Sequence, residues 1–300
     1  MQIDKDTQIL IDERLKNNAP ALESFTPQEL RALRAKMAET PLELRVDISD
    51  VQDLSVKGTL GDIPIRKYFN SSTSDPKHKT SPLIIYFHGG GFVMGDLESH
   101  DLVCRHLCKE AKATVIAVDY KLAPEHKFPT PVIETKDAIT KIFERAEEFN
   151  FDPNKVILCG DSAGGTLATV GTIMSRDNVI PKVHGQILVY PWVDMTMCRR
   201  SMDIDLEGMI LNKKTIKYFA DHYLNNTQEQ VDWRASPLLT ADLSNLPPTY
   251  IYGAGLDPLV DEGDAYKRRL LSFGNEVHYR LFPGQMHAFL SNSVQLPTSL

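Results

Sequence analysis

Hydrophobic and polar positions along the chain change their period twice. In residues 1–45 apolar side chains recur at helical spacing: Ile9, Leu10 and Leu15 give one segment an apolar side, and Pro20 ends it. Thr26-Pro27-Gln28-Glu29 then opens a second segment with a capping box and a proline at its first turn, and Leu30, Leu33 and Met37 share one face of it. The pattern predicts two amphipathic helices, which must lie against something else. A lid over a site and plain cover for the core both fit that face.

From Arg45 the period shortens. Residues 46–51, 55–60 and 63–69 read as antiparallel edge strands, with Gly58 and Gly61 as turn signals, and residues 70–82, rich in Ser, Lys and Pro, read as a solvated loop. Leu83-Ile84-Ile85-Tyr86-Phe87 is a continuous apolar run of the kind covered on both faces. Strands at 114–119, 155–159, 186–190, 249–252 and 277–281 follow, with helices at 101–109, 132–149, 163–176 and 262–273 between them. Such alternation predicts βαβ units and an α/β fold with a mostly parallel sheet. Residues 195–233, carrying Met195, Met197, Met202, Met209, Phe219 and Tyr223, interrupt the rhythm and read as an insertion. Methionine and aromatic side chains adapt to irregular apolar surfaces, so the insertion suits a cap over an acyl pocket, although ordinary packing of a helical insert uses the same residues. The expected division is a helical part at 1–45, core at 46–194, a cap insertion at 195–233 and core again at 234–300.

Composition narrows the class. With 300 residues, 42% hydrophobic and 24% charged, the chain matches an ordinary globular enzyme that folds throughout around one large core. A net charge of -7 without a Lys/Arg run argues against nucleic acid as a partner. The N-terminus has no apolar signal region and no stretch of eighteen apolar residues occurs, so a cytoplasmic protein without a membrane span is expected. Cys104, Cys108, Cys159 and Cys198 are too few and scattered for a disulfide framework. Cys104 and Cys108, near His100 and His106, lack zinc-ligand spacing and are expected to pack in the core, leaving no metal site.

Candidate chemistry centres on Gly160-Asp161-Ser162-Ala163-Gly164, placed between an apolar strand and a helix. This Gly-x-Ser-x-Gly turn displays a serine hydroxyl clear of the sheet and aims the next amide, that of Ala163, at a developing oxyanion, although the same pentapeptide also suits a tight turn with no chemistry. His88-Gly89-Gly90-Gly91-Phe92 follows the 83–87 strand, and consecutive glycines turn several N–H groups one way, as an oxyanion site requires. A phosphate loop is the competing reading, but the Gly-Lys-Ser/Thr ending is missing. His88 reads as an anchor of that loop rather than as a base. A serine nucleophile needs a base and a carboxylate later in the chain. Asp257, in a loop after the 249–252 strand, is the carboxylate preferred over Asp261 and Glu262, which read as first-turn helix acids favouring the dipole. Of the downstream histidines, His278 lies within a strand pattern, whereas His287 lies in a loop beyond it and is the candidate base.

These motifs, with Asp119-Tyr120-Lys121-Leu122-Ala123-Pro124-Glu125, Gly160-Asp161-Ser162-Ala163-Gly164-Gly165, Asp257-Pro258-Leu259-Val260-Asp261-Glu262-Gly263 and His287-Ala288-Phe289, occur in one order over residues 83–290. In this the chain resembles the hormone-sensitive-lipase-like branch of the α/β-hydrolase esterases. The resemblance implies an α/β-hydrolase fold with a helical cap made by the N-terminal helices and the insertion. It implies that Ser162 attacks, His287 transfers the proton, Asp257 orients His287, and the amides of Gly90, Gly91 and Ala163 hold the oxyanion, with His88, Gly89 and Asp161 in support. The expected activity is that of a serine carboxylesterase on small, largely uncharged, short-acyl esters, with no cofactor, and some relatives pair as homodimers. Lys121 stands where the family commonly has Arg and Thr166 where it has Asn, and the tail after His287 is shorter than the usual closing helix. Two other readings share the scaffold: a ligand-binding protein, like the plant gibberellin receptors that have lost the catalytic histidine, and an amidase or lactonase using the same triad.

Overall fold

The computed structural model describes residues 3–37, 45–71 and 80–292. Its elements in chain order are α1 (Lys5–Lys16), α2 (Pro27–Met37), β1 (Asp50–Gly58), β2 (Gly61–Phe69), β3 (Ser81–Phe87), α3 (Asp101–Glu110), β4 (Thr114–Val118), α4 (Thr130–Glu144), α5 (Ala146–Phe149), β5 (Phe151–Asp161), α6 (Ala163–Arg176), β6 (Gly185–Val189), α7 (Lys213–Tyr223), β7 (Thr249–Leu256), α8 (Val260–Ser272), β8 (Val277–Met286) and α9 (Phe289–Asn292).

The strands form one eight-stranded sheet in the order β1-β2-β4-β3-β5-β6-β7-β8. β1 pairs with β2, and β2 with β4, in antiparallel fashion; the strands from β4 to β8 run parallel. This is the α/β-hydrolase arrangement, with helices on both faces of a mostly parallel sheet. The strand period of two divides β3 between those faces: Leu83, Ile85 and Phe87 join one apolar cluster with α4 and α6, while Ile84 and Tyr86 join another with α3. Cys104, Cys108 and Cys159 are buried in that second cluster as free thiols. No helix among the described residues is long and apolar enough to cross a membrane.

The structure redraws several predicted boundaries. β1 takes only residues 50–51 of the first run and 55–58 of the second and joins them, because the polar residues between, Gln52 and Asp53, pair in register with Lys67 and Arg66 on the exposed sheet edge; 46–49 precede the strand and Thr59 and Leu60 form the turn. The helix expected over 132–149 breaks at Arg145 into α4 and α5, and Asn150, left-handed at φ 57°, stops it. α1 is seated through Ile11, which packs with Met209, Leu256 and Met286, and through a Thr7 hydroxyl bond to Gln285, whereas Ile9 and Leu15 face solvent. In α2, Leu30 is buried and Leu33 exposed; the Met37 side chain, most of the 70–82 loop and the tail beyond Asn292 lie outside the described residues.

The insertion between β6 and β7 contains α7 and is tied to the N-terminal helices. Thr215 donates to Glu23 at 2.6 Å, the Tyr218 hydroxyl to the Phe25 carbonyl at 3.0 Å, and Arg14 to the Gly208 carbonyl at 3.0 Å. α7 begins where the Asn212 side chain accepts the Lys214 and Thr215 amides, satisfying two orphan donors of its first turn.

Candidate active site

The turn between β5 and α6 puts Ser162 in strained backbone, φ 53° and ψ -119°, at the carboxyl edge of the central strands. That geometry tolerates nothing larger than hydrogen two residues on, since a Cβ at Gly164 would collide with the Phe87 carbonyl of β3. The turn is pinned by the Ser162 amide on the Val189 carbonyl at 2.9 Å and by the Trp192 amide on the Ser162 carbonyl at 3.0 Å. Strain at a defined position therefore accompanies a functional group that is buried yet faces the cavity.

β7 and β8 bring two further side chains to the same edge. β8 runs on to Met286, so that His287 emerges beside Ser162, and its Nε2 lies 2.9 Å from the serine Oγ. Its Nδ1 lies 2.7 Å from Oδ2 of Asp257, whose other oxygen accepts the Leu259 amide at 2.9 Å. Asp257 is fully buried, so its two oxygens are committed to the imidazole and to its own loop. A carboxylate at Nδ1 fixes the tautomer that leaves Nε2 free to accept a proton. The Tyr190 ring, 4.6 Å from the imidazole by centroid, packs His287 in place. His278, by contrast, is exposed and paired with Glu276.

The glycine loop supplies the facing wall. Gly90 and Gly91 take φ of 118° and 63°, and among the described residues their amides have no acceptor. Ala163, as the first residue of α6, has no intrahelical acceptor either. The loop closes on itself through the Val93 and Met94 amides, both bonded to the Gly90 carbonyl, and Phe92 stacks on Tyr223 of the insertion at 3.9 Å. A Cβ at Gly91 would strike the Phe219 ring, so the insertion leaves this loop no room for a side chain.

Behind the loop, Asp161 gathers a set of contacts that sequence reading assigned only generally to support. Its Oδ1 accepts the Gly89 amide at 2.8 Å and the Tyr86 hydroxyl at 2.6 Å, and His100 stands 3.5 Å away. Burial works against its charge, but His100 and these donors outweigh it and hold the carboxyl at about 2. His88 touches the Gly89 carbonyl through Nδ1 at 2.8 Å and stacks on Tyr120 at 4.3 Å. Burial, then the neighbouring His100, push it down to about 4, so the ring is neutral near pH 7 and donates from Nδ1. Tyr86, His100 and Tyr120 were not singled out in the sequence for this part; the alternation that puts Tyr86 and His88 on one side of β3 is the signal that was there to find.

The two departures from the family pattern are satisfied locally. Lys121 bonds the Leu60 carbonyl and pairs with buried Glu134 at 2.8 Å, and the Thr166 hydroxyl donates to the Trp192 carbonyl. Glu262 differs from its reading as a dipole-favouring acid. It is fully buried, its Oε1 accepts the Val193 and Asp194 amides at 2.6 and 3.1 Å, and burial with nearby Asp194 raises its carboxyl well above the usual range. Asp261 instead accepts the Ser201 amide of the insertion at 2.9 Å.

Ser162 and His287 open onto a cavity of about 90 Å³ walled by Leu22 from the N-terminal region, Ile216 and Phe219 from α7, and Met94 and Trp192 from the core. No group of three or more His, Cys, Asp or Glu side chains is arranged to hold a metal among the described residues.

Known proteins resemble the chain in sequence and in overall fold. A family model described as alpha/beta hydrolase fold matches residues 84–291. The carboxylic ester hydrolase LipN of Mycobacterium tuberculosis is 40% identical over 248 residues, which are 81% of this chain and 65% of that protein. An arylesterase of Saccharolobus solfataricus is 33% identical over 271 residues, 89% of this chain and 87% of its own length. The structure of a hyperthermophilic esterase from Pyrobaculum calidifontis superposes with a TM-score of 0.89 at 32% identity, covering 100% of this chain and 94% of that one. With most of the chain matched in sequence and all of it in structure, the chain belongs to the alpha/beta hydrolase fold family.

Proposed function

We propose that the chain is a serine carboxylesterase that hydrolyses small, short-acyl esters through an acyl-enzyme. Ser162 attacks the ester carbonyl as His287 Nε2 takes its proton, and Asp257 holds the imidazole and steadies its positive charge. The amides of Gly90, Gly91 and Ala163 receive the oxyanion; one such donor is worth about 2.7–4 kcal/mol of transition-state stabilisation. His287 then protonates the departing alcohol, and a water activated by the same imidazole releases the acid. Asp161, His88 and Gly89 hold the glycine loop to this task. The N-terminal helices and residues 195–233 serve as the cap, which suits the apolar walls they contribute to the cavity. The names of the relatives, carboxylic ester hydrolase and arylesterase, point to the same substrate class.

The observation that carries the reading is the continuous chain of 2.7 and 2.9 Å contacts from Asp257 through His287 to Ser162. A binding protein on this scaffold has no need of that imidazole. Ser162→Ala is expected to abolish hydrolysis of p-nitrophenyl acetate while leaving the circular dichroism spectrum and thermal midpoint close to those of the unaltered chain. Undiminished turnover by the folded variant removes Ser162 from the mechanism.

A further inference from the structure

α2 carries two arginines one turn apart, Arg31 and Arg34, and the structure uses them differently. Arg31 is consumed. It donates to the Val93 carbonyl at 2.8 Å and the Ala123 carbonyl at 2.5 Å, and it pairs with Glu125 at 2.7 Å. Arg34 is half-buried, lines the cavity that holds Ser162 and His287, and forms no ion pair or hydrogen bond among the described residues. Its helix neighbour Lys36 is exposed to solvent, as a merely solubilising cation would be.

Among the described residues, no carboxylate pairs with Arg34. The carboxylate that lines the cavity among the described residues is Asp161, which is buried beneath the glycine loop and occupied by Tyr86 and Gly89. The remaining walls near the cap are apolar, from Leu22, Met94, Ile216 and Phe219. A guanidinium beside apolar walls is screened less than one in open water, and its planar fork of donors matches a carboxylate in two parallel hydrogen bonds. The chain as a whole carries -7, so a cation that lines this cavity and is unpaired among the described residues runs against the global charge and acts as a local discriminator.

On the esterase reading above, we propose that Arg34 is a specificity-determining residue that binds a carboxylate at the far end of the substrate, making half-esters of dicarboxylic acids a favoured class. The bond broken is still the ester bond at Ser162; Arg34 holds the other end and takes no part in proton transfer. This widens the expectation of largely uncharged substrates, since the second end of the molecule is then ionised near pH 7.

The test compares monomethyl with dimethyl esters of succinic, glutaric, adipic and pimelic acids, following acid release at constant pH by the unaltered chain, Arg34→Gln and Arg34→Glu. For the acid of best length, the ratio of kcat/KM for the monomethyl to the dimethyl ester is expected to fall about tenfold in Arg34→Gln and further in Arg34→Glu, with dimethyl-ester rates within about twofold of the unaltered chain. The dimethyl esters thus report on folding and on the triad. An unchanged ratio at every length, or equal losses on both ester types, overturns the role of Arg34 and leaves the esterase reading standing. Failure of the unaltered chain to hydrolyse any dimethyl ester overturns the esterase reading, and this proposal with it.

Discussion

Asp161 Oδ1 accepts the Gly89 amide at 2.8 Å across 72 positions of sequence, so the residue preceding Ser162 holds the loop that carries the facing amides. The two halves of the proposed oxyanion site are thereby one mechanical unit: the β5–α6 turn cannot shift without taking the glycine loop with it.

Asp161→Asn keeps an acceptor oxygen but removes the charge that Tyr86, Gly89 and His100 surround. It is expected to lower kcat on p-nitrophenyl acetate by about 10- to 100-fold with little change in KM, since the loss falls on amides that act only in the transition state. The carboxyl is held at about 2, below its unfolded value, so it stabilises the fold at neutral pH by an amount on the order of 2 kcal/mol. That contribution is complete above about pH 4 and disappears as the pH falls toward 2. Denaturant titrations of both proteins should show a stability deficit in the variant that narrows over this range. A variant with unchanged kcat separates the glycine loop from Asp161.

Asp119, beside the same loop, has the opposite sign. Burial, followed by the nearby charge of Asp96, raises it to about 6, and the His88 ring 3.9 Å away, neutral near pH 7, offers no counter-charge. A carboxyl whose folded value lies above its unfolded one binds protons more readily when folded, so stability declines as the pH rises from about 4 to 6 and stays lower above that. Asp119→Asn is expected to raise stability at pH 7 by about 1–2 kcal/mol, discounted because a third of the side chain meets solvent, and to bring no gain at pH 4. Thermal midpoints at the two pH values check this; destabilisation at pH 7, or a gain independent of pH, refutes it.

What the sequence disclosed of this fold followed the strength of local signals. β3 and α6 were legible because an unbroken apolar run and a Gly-x-Ser-x-Gly turn admit few alternatives, and His287 stood apart from His278 by its place beyond a strand. β1 was split in reading because Gln52 and Asp53 are solvated on an edge, where burial no longer imposes alternation. Ile9 and Leu15 mark an apolar side that the structure leaves exposed, since Ile11 reaches Leu256 and Met286 from the neighbouring face. The supporting contacts are the least visible: Tyr86 and Asp161 are 75 positions apart, and nothing local in either announces the other. Glu262 stands in the first turn of α8 as read, but its burial against the Val193 and Asp194 amides, 68 to 69 positions away, left no local mark either.

Glu262 provides the last prediction. Its Oε1 receives the Val193 and Asp194 amides, Oε2 has no partner among the described residues, and the neutral acid is the form that burial favours. A glutamine has nearly the same shape, keeps the accepting oxygen and is neutral at every pH. Glu262→Gln should therefore change stability by less than about 1 kcal/mol, whereas Glu262→Ala strands two buried amides and opens a void, costing about 2–4 kcal/mol. Were Glu262 charged in the folded state, the glutamine would instead lose a charge-assisted acceptor and destabilise nearly as much as alanine. Urea midpoints of the two variants at pH 7 decide between these states, and parity between them means that the carboxyl is ionised beneath Asp257.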